Sequence, residues 1–242
     1  MKKTRLDQLL VERGLVESRN KAQALIKAGN VLVSDVVVKK SGAAIKPDAI
    51  IELKDVPRFV SRGGIKLDGA MTHFDVDCTG LVCADLGAST GGFTDVLCQR
   101  NALIVYAIDV GQEQLAQKLT QDPRVIIMDR CNARHLESLP EPIDFIVGDL
   151  SFISISKIIG AMICIAKPKA RGVLLIKPQF EVGKKGLRAG VVRDNNLRTQ
   201  AIETVISDFK QAGCIVFGHV PSSIAGAKKG NIEEFVYVEF PE

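Results

Sequence analysis

The chain predicts an α/β protein: a doubly wound, seven-stranded sheet preceded by a small N-terminal α+β domain. Three observations predict it. An apolar start, Leu81-Val82, runs through Cys83-Ala84-Asp85 into a glycine-rich turn, Gly87 to Gly92, and then into a helix-like segment, Phe93 to Arg100. That strand, turn and helix form the nucleotide-binding corner of such a sheet. From Leu81 onward, continuous apolar runs alternate with helical patterns, as in a parallel sheet buried on both faces. Charge is also unevenly spread: residues 1–58 hold twelve Lys/Arg against seven Asp/Glu, while the remainder is near neutral. A basic module on a neutral body suggests a polyanionic partner, most simply nucleic acid.

The 242 residues have room for one large and one small domain. Hydrophobic content of 46% and charged content of 25% are ordinary for a globular protein. No apolar run approaches the ~18 residues of a membrane span. The longest candidate, Ile153 to Ala166, is interrupted by Ser154, Ser156 and Lys157. The start, Met1 to Asp7, is charged rather than signal-like. The expectation is a cytoplasmic protein. Six cysteines and three histidines are scattered, with no C-x-x-C pair, so no metal is expected. No protein partner is evident.

The elements follow in order. Leu6, Leu9 and Leu10 have helical spacing and stop at Gly14; Ser18 caps a second helix, Arg19 to Ala28, ended by Gly29. Val31 to Val33 and Val36 to Val38 are short strands around Ser34-Asp35, and Ile50 to Leu53 closes the unit. Through Arg5, Leu6, Asp7, Leu10, Gly14, Leu15, Ser18, Arg19, Ala22, Leu25, Ile26, Gly29, Val31, Val33 and Lys40, residues 3–55 resemble the RNA-binding domain first recognised in ribosomal protein S-four. At Ser34-Asp35 the family often has a glycine instead. The resemblance implies that the second helix and the loop after it face RNA, making Arg5, Arg19, Lys21, Lys27, Lys39 and Lys40 candidate phosphate contacts.

Domains are therefore expected at 1–58 and 66–242, joined by a linker at 59–65, with the first helix of the larger domain starting near Ile65. Strands are expected at 81–86, 103–109, 125–129, 144–149, 172–177, 214–220 and 234–240. Helices are expected near 92–100, 112–120, 155–166 and 195–212. Only Pro221 to Ile232 separates the last two strands, which predicts a terminal antiparallel pair. The long loop Glu181 to Asp194 reads as a substrate-facing flap, with Lys184, Lys185 and Arg188 as further RNA contacts.

The chemistry is carried by strand ends. Gly87, Ser89, Gly91, Gly92 and Phe93 shape a turn where backbone can approach a ligand. Asp85 sets the ligand apart: a pyrophosphate would avoid a carboxylate there, whereas the cationic amino acid end of S-adenosylmethionine (SAM) suits one. Asp109 ends the second strand, where an acid takes ribose hydroxyls, and Asp129 ends the third, bordering the adenine. Asp149 and Lys177 end the fourth and fifth strands and open into the same crevice. A lysine in that position is costly unless paired or used. A hydroxyl nucleophile needs a base, and a lysine that burial has deprotonated can serve.

Together, Ser61 to Leu67, Asp85 to Asp95, Asp149 to Ser154, Lys177 to Glu181, Gly190 to Asp194 and Gly230 to Glu233 make nearly the whole chain resemble the TlyA family, an S-four-like domain before an FtsJ-like, Rossmann-type SAM-dependent methyltransferase domain. The resemblance implies 2′-O-methylation of cytidine in ribosomal RNA on ribosomal subunits. Its lysine–aspartate–lysine–glutamate constellation maps onto Lys66, Asp149, Lys177 and Glu233. Lys177 is then the general base, oriented by Asp149 and Glu233, with Lys66 holding the substrate. Glu234 is adjacent, but strand alternation lets only one of the two glutamates serve. Three other readings are weighed. A non-catalytic RNA-binding protein is opposed by the intact Asp85, Asp149 and Lys177. A membrane-active protein, which the family's older name hemolysin suggests, would need an apolar or strongly amphipathic helix. A dinucleotide oxidoreductase would need a G-x-G-x-x-G turn.

Overall fold

The computed structural model describes residues 3–16, 18–54, 57–183, 187, 189–226 and 231–242. It divides into two compact units, Met1–Pro57 and Arg58–Glu242.

The smaller unit runs β1 (Thr4–Arg5), α1 (Leu6–Glu12), α2 (Arg19–Ala28), β2 (Val31–Val33), β3 (Val36–Val37), β4 (Ala44–Ile45) and β5 (Ile51–Leu53). The two helices bury Leu6, Leu10, Ala22 and Ile26 against Val16 and Val31. The Ser18 hydroxyl caps α2 by accepting from the Lys21 N–H, and Gly29 ends it in the left-handed conformation. β2 and β3 form a hairpin although the turn lacks glycine, because Ser34 and Asp35 both adopt positive φ, 49° and 64°. Asp7 is fully buried, and accepts from Arg5 (2.9 and 3.0 Å), Gln23 (2.9 Å) and Arg19 (3.3 Å).

The larger unit continues with α3 (Arg62–His73), β6 (Val82–Leu86), α4 (Gly92–Gln99), β7 (Ile104–Ile108), α5 (Gln117–Thr120), β8 (Val125–Met128), β9 (Ile143–Gly148), α6 (Ile159–Ile165), β10 (Ala166–Ile176), α7 (Pro178–Glu181), α8 (Asn195–Gln211), β11 (Ile215–Pro221) and β12 (Glu234–Glu239). The sheet order is β11-β12-β10-β9-β6-β7-β8. β6 pairs in parallel with β7 and β9, whereas β12 runs antiparallel to both β10 and β11. Strand alternation supplies two cores. Leu86, Ile146, Leu174 and Val236 pack on α6 and α8, while Cys83, Phe145, Val173, Leu175 and Phe235 pack on α3 and α4. The chain order reverses between β6 and β9, so the crevice opens at their C-terminal ends.

Two sequence expectations fail here. Residues 59–65 are not a linker: Phe59 is buried, Val60 donates its N–H to Asp95, and α3 already starts at Arg62. Gly64 permits this, since a Cβ there would collide with the Phe59 ring at 2.4 Å. The helix expected at 112–120 shrinks to Gln117–Thr120. Glu113 has φ of 53°, and its N–H is taken by Asp129, which breaks the helical ladder.

Candidate active site

β6 delivers Gly87 at φ 85°, and the Gly87 and Ala88 N–H groups both donate to the Ile108 carbonyl. A Cβ on Gly87 would lie 3.1 Å from the Asp149 carbonyl oxygen, so the β6 and β9 ends approach as closely as only glycine allows. Gly91 caps α4 at φ 91°, and a Cβ on Gly92 would strike Ser61 Oγ at 2.2 Å. The glycine turn is thus packed between the starts of α3 and α4. Phe93 is part of that packing, 6.0 Å from Phe235 between ring centroids.

Three adjoining cavities open at the strand ends. One, about 370 Å³, lies between the start of α3 (Ser61 to Lys66) and the glycine turn. A second, about 450 Å³, extends past Asp109 and Val110 toward Asn132 and Ala133. The third, about 410 Å³, is lined by Lys66, Lys177, Gln179, Phe180 and Glu233. Asp149 and Ser151 line all three.

The expected cofactor residues divide. Gly87, Ser89, Gly92, Phe93, Asp109 and Asp149 line the first two cavities. Asp109 accepts from the Ser89 N–H (2.8 Å) and the Gly111 N–H (2.7 Å), which fixes both loops that border the second cavity. Asp129 lines none of the three; it holds the Glu113 N–H at 2.8 Å and so shapes the loop beside the cavity. Asp85 lines none either. It is fully buried behind the turn, with Oδ2 accepting from the Thr94 N–H (2.9 Å) and hydroxyl (2.6 Å), and Oδ1 has no partner among the described residues. Burial pushes its pKa up to about 7, against the pull of the Thr94 hydrogen bonds.

The four expected catalytic residues converge, but as two pairs. Lys177 is buried, and its Nζ makes an ion pair with Asp149 Oδ1 at 2.5 Å, a contact without good hydrogen-bond alignment. Nζ also donates to Ser151 Oγ at 2.8 Å and, weakly, to the Asp149 carbonyl at 3.4 Å. Glu233, only 2% exposed, does not orient Lys177 as expected. Its Oε2 accepts from Lys66 Nζ at 2.6 Å and its Oε1 from the Gln179 amide at 3.0 Å. Glu234 points to the other face, 2.6 Å from His219.

Ser151, Phe152 and Gln179 were not anticipated. Phe152 is 91% exposed at φ 66°, a strained conformation for a bulky residue, with its ring 5.3 Å from that of Phe180. Hydrophobic periodicity is blind to all three; the segments Asp149 to Ser154 and Lys177 to Glu181 contain them, but the resemblance assigns them no role. Glu181 accepts from the Ile155 N–H at 2.9 Å, tying α7 to the loop that carries these residues, and burial raises its pKa. Of the expected flap, Lys184, Lys185 and Arg188 lie outside the described residues. Its far end is pinned: Asn231 accepts from the Val192 N–H and donates to the Gly190 carbonyl. In the smaller unit, Arg5, Arg19, Lys21, Lys27, Lys39 and Lys40 are all exposed.

Comparison with known proteins shows the family of both units. Residues 59–240 match the model of the FtsJ-like methyltransferase family, and residues 4–51 match the S4 domain. The 16S/23S rRNA (cytidine-2'-O)-methyltransferase TlyA of Mycobacterium tuberculosis is 41% identical, over 98% of this chain and 90% of that protein. Hemolysin A of Brachyspira hyodysenteriae is 40% identical, over 95% and 97%. A solved chain from Streptococcus thermophilus, classed as a candidate hemolysin, is 38% identical over 100% of this chain and 90% of its own, with a TM-score of 0.75.

Proposed function

The chain belongs to the FtsJ-like methyltransferase family, in the TlyA group that carries an S4 domain, and from that premise we propose that it methylates the 2′-hydroxyl of a cytidine in ribosomal RNA. The carrying observation is Lys177. Its amine is held by Asp149 and Ser151 where the glycine-turn cavities meet the third cavity.

The residues present fit S-adenosylmethionine. The glycine turn brings backbone at Gly87 to the edge of the first two cavities, and the Asp85 oxygen left unpartnered among the described residues lies behind that turn, where a carboxylate suits a cationic ligand. In this reading Gly87, Ser89, Gly91, Gly92 and Phe93 form the cradle, Asp109 takes the ribose hydroxyls, and Asp129 acts through the loop it holds. When bound, the cofactor supplies an electrophilic methyl group on a sulfonium. The chain's own residues do the rest. Lys177 takes the proton of the ribose hydroxyl as the oxygen attacks, and Asp149 stabilises the ammonium that forms. Glu233 and Gln179 hold Lys66, whose charge faces the substrate cavity. Phe152 offers an exposed ring on which an unstacked base can lie.

The smaller unit supplies phosphate contacts through Arg5, Arg19, Lys21, Lys27, Lys39 and Lys40. A ribosomal substrate assigns the reaction to the cytoplasm. Among the described residues no helix is long and apolar enough to cross a membrane, and no group could hold a metal ion.

The test is transfer of radiolabelled methyl from S-adenosylmethionine to purified ribosomal subunits. The expected result is label that blocks alkaline cleavage beside a cytidine, with Lys177→Ala losing about a thousandfold or more in rate while still binding the cofactor. Cofactor binding without any transfer to either subunit would favour a binding-only protein.

A further inference from the structure

We propose that Ser151 is a positioning residue of the reaction: its hydroxyl, together with the Asp149 carboxylate, fixes the direction in which the Lys177 amine presents its lone pair. This rests on Lys177 acting as the base in the proposed reaction.

The argument is one of valence. A lysine that can accept a proton has two N–H bonds and one lone pair on a tetrahedral nitrogen. Ser151 Oγ at 2.8 Å is the short acceptor that is aligned with an Nζ–H bond. The Asp149 carbonyl is aligned but long, at 3.4 Å, and Asp149 Oδ1, at 2.5 Å but off the hydrogen-bonding direction, holds Nζ by charge rather than by taking an N–H. With the Ser151 contact made, one N–H is fixed and the amine no longer turns freely about its Cε–Nζ bond. Without it, only the long carbonyl contact restrains that rotation, and the lone pair can turn away from the substrate. The other carboxylate of the constellation cannot substitute, because both oxygens of Glu233 are engaged by Lys66 and Gln179.

Location agrees with the role. Ser151 is exposed and borders all three cavities, so its hydroxyl stands where cofactor and substrate spaces join. In the reaction the proton would leave the ribose hydroxyl for Lys177 Nζ while the oxygen's electron pair forms the bond to the methyl carbon; the carbon–sulfur bond would break, its pair leaving with sulfur as a neutral thioether. The new third N–H then occupies the former lone-pair direction. The Ser151 hydroxyl remains an acceptor throughout and neither gains nor loses a proton.

The experiment uses the full chain with ribosomal subunits. Wild type is assayed first; label that remains alkali-sensitive would reject the 2′-O reading itself, independently of Ser151. Given 2′-O label, Ser151→Ala is expected to lower kcat on the order of tenfold. KM for subunits, Kd for S-adenosylmethionine and the melting temperature should hardly change, because an exposed hydroxyl is removed without a cavity. Ser151→Thr, which keeps the acceptor, should recover most of the rate. Wild-type kcat in Ser151→Ala would overturn the proposal. So would a loss explained by weaker cofactor binding or a lower melting temperature, or a threonine variant no better than alanine.

Discussion

Asp7 in the smaller unit and Asp85 in the larger are both fully buried, and their surroundings treat them in opposite ways. Asp7 accepts from Arg5, Arg19 and Gln23, and the Arg5 guanidinium above all holds its carboxyl far below the usual range. Among the described residues Asp85 has no cation beside it and keeps one oxygen unpartnered, and burial raises it to about 7. A buried charge met by three donors is a fastening in the fold. A buried charge left half unmet is a local cost that folding alone does not explain, and such sites cluster where ligands bind. The smaller unit uses its carboxylate to hold itself together; in the function proposed above, the larger one leaves its carboxylate unmatched for the cationic cofactor.

The largest effect is expected from Asp85→Asn in the cofactor-free protein. The pKa of about 7 in the folded state lies above the ordinary 3.8, so the folded protein retains a proton that the unfolded chain releases. The cost of burying Asp85 is therefore absent in acid, grows as pH rises from about 4 to about 7, and is complete above that. Asparagine keeps an acceptor for Thr94 and removes the charge. The variant should be more stable than wild type at pH 8, on the order of 3 kcal/mol, and indistinguishable from it near pH 4. Its affinity for S-adenosylmethionine should fall. A variant equally stable at both pH values, measured by denaturant melts, would mean that Asp85 carries no such cost.

Asp7→Ala should act in the reverse sense and more weakly. Depression of its pKa stabilises the folded state at neutral pH, and that stabilisation is lost as pH falls below about 4, where the unfolded chain takes up a proton first. The arginine partners are about half exposed, at 51% and 56%, so they rehydrate when Asp7 is removed. The expected loss is about 2 kcal/mol at pH 7; it begins to shrink below about pH 4 and disappears only as pH falls through the depressed folded-state pKa. Unchanged melting of the variant at pH 7 would remove Asp7 from the list of structural fastenings.

The two aspartates also mark how far the sequence could be read. The alternation of strands and helices, the glycine turn and the strand-end positions of Asp149 and Lys177 follow from apolar runs, which are properties of local sequence; that Lys66 and Glu233 join them is implied by the family resemblance alone. The partner each charge takes is not local. Nothing in the chain order says that Glu233 meets Lys66 rather than Lys177, since that depends on how α3 lies across β10 and β12. Nor does Asp85, one residue before the strand ends, announce that it lies behind the turn rather than in the cavity. The linker expected at 59–65 fails for the same reason, since the packing of the Phe59 ring against Gly64 is a contact that the order of residues does not announce.

The smallest expected effect separates two cations that look alike in sequence. Arg19 and Lys39 are both exposed on the smaller unit and both proposed to contact phosphate. Arg19 also donates to Asp7 at 3.3 Å, so it belongs to the fastening as well. Each alanine variant should weaken RNA binding a few-fold and reduce the slope of log affinity against log salt by about one. Only Arg19→Ala should also lower the melting temperature, by a degree or two, because a long and half-exposed contact to a carboxylate contributes well under 1 kcal/mol. Salt titrations of RNA affinity and thermal melts on the two variants check this together. Equal melting temperatures with equal slopes would mean that Arg19 serves RNA alone and that Arg5 and Gln23 suffice for Asp7. A lower melting temperature with an unchanged slope would mean that Arg19 serves the fold alone.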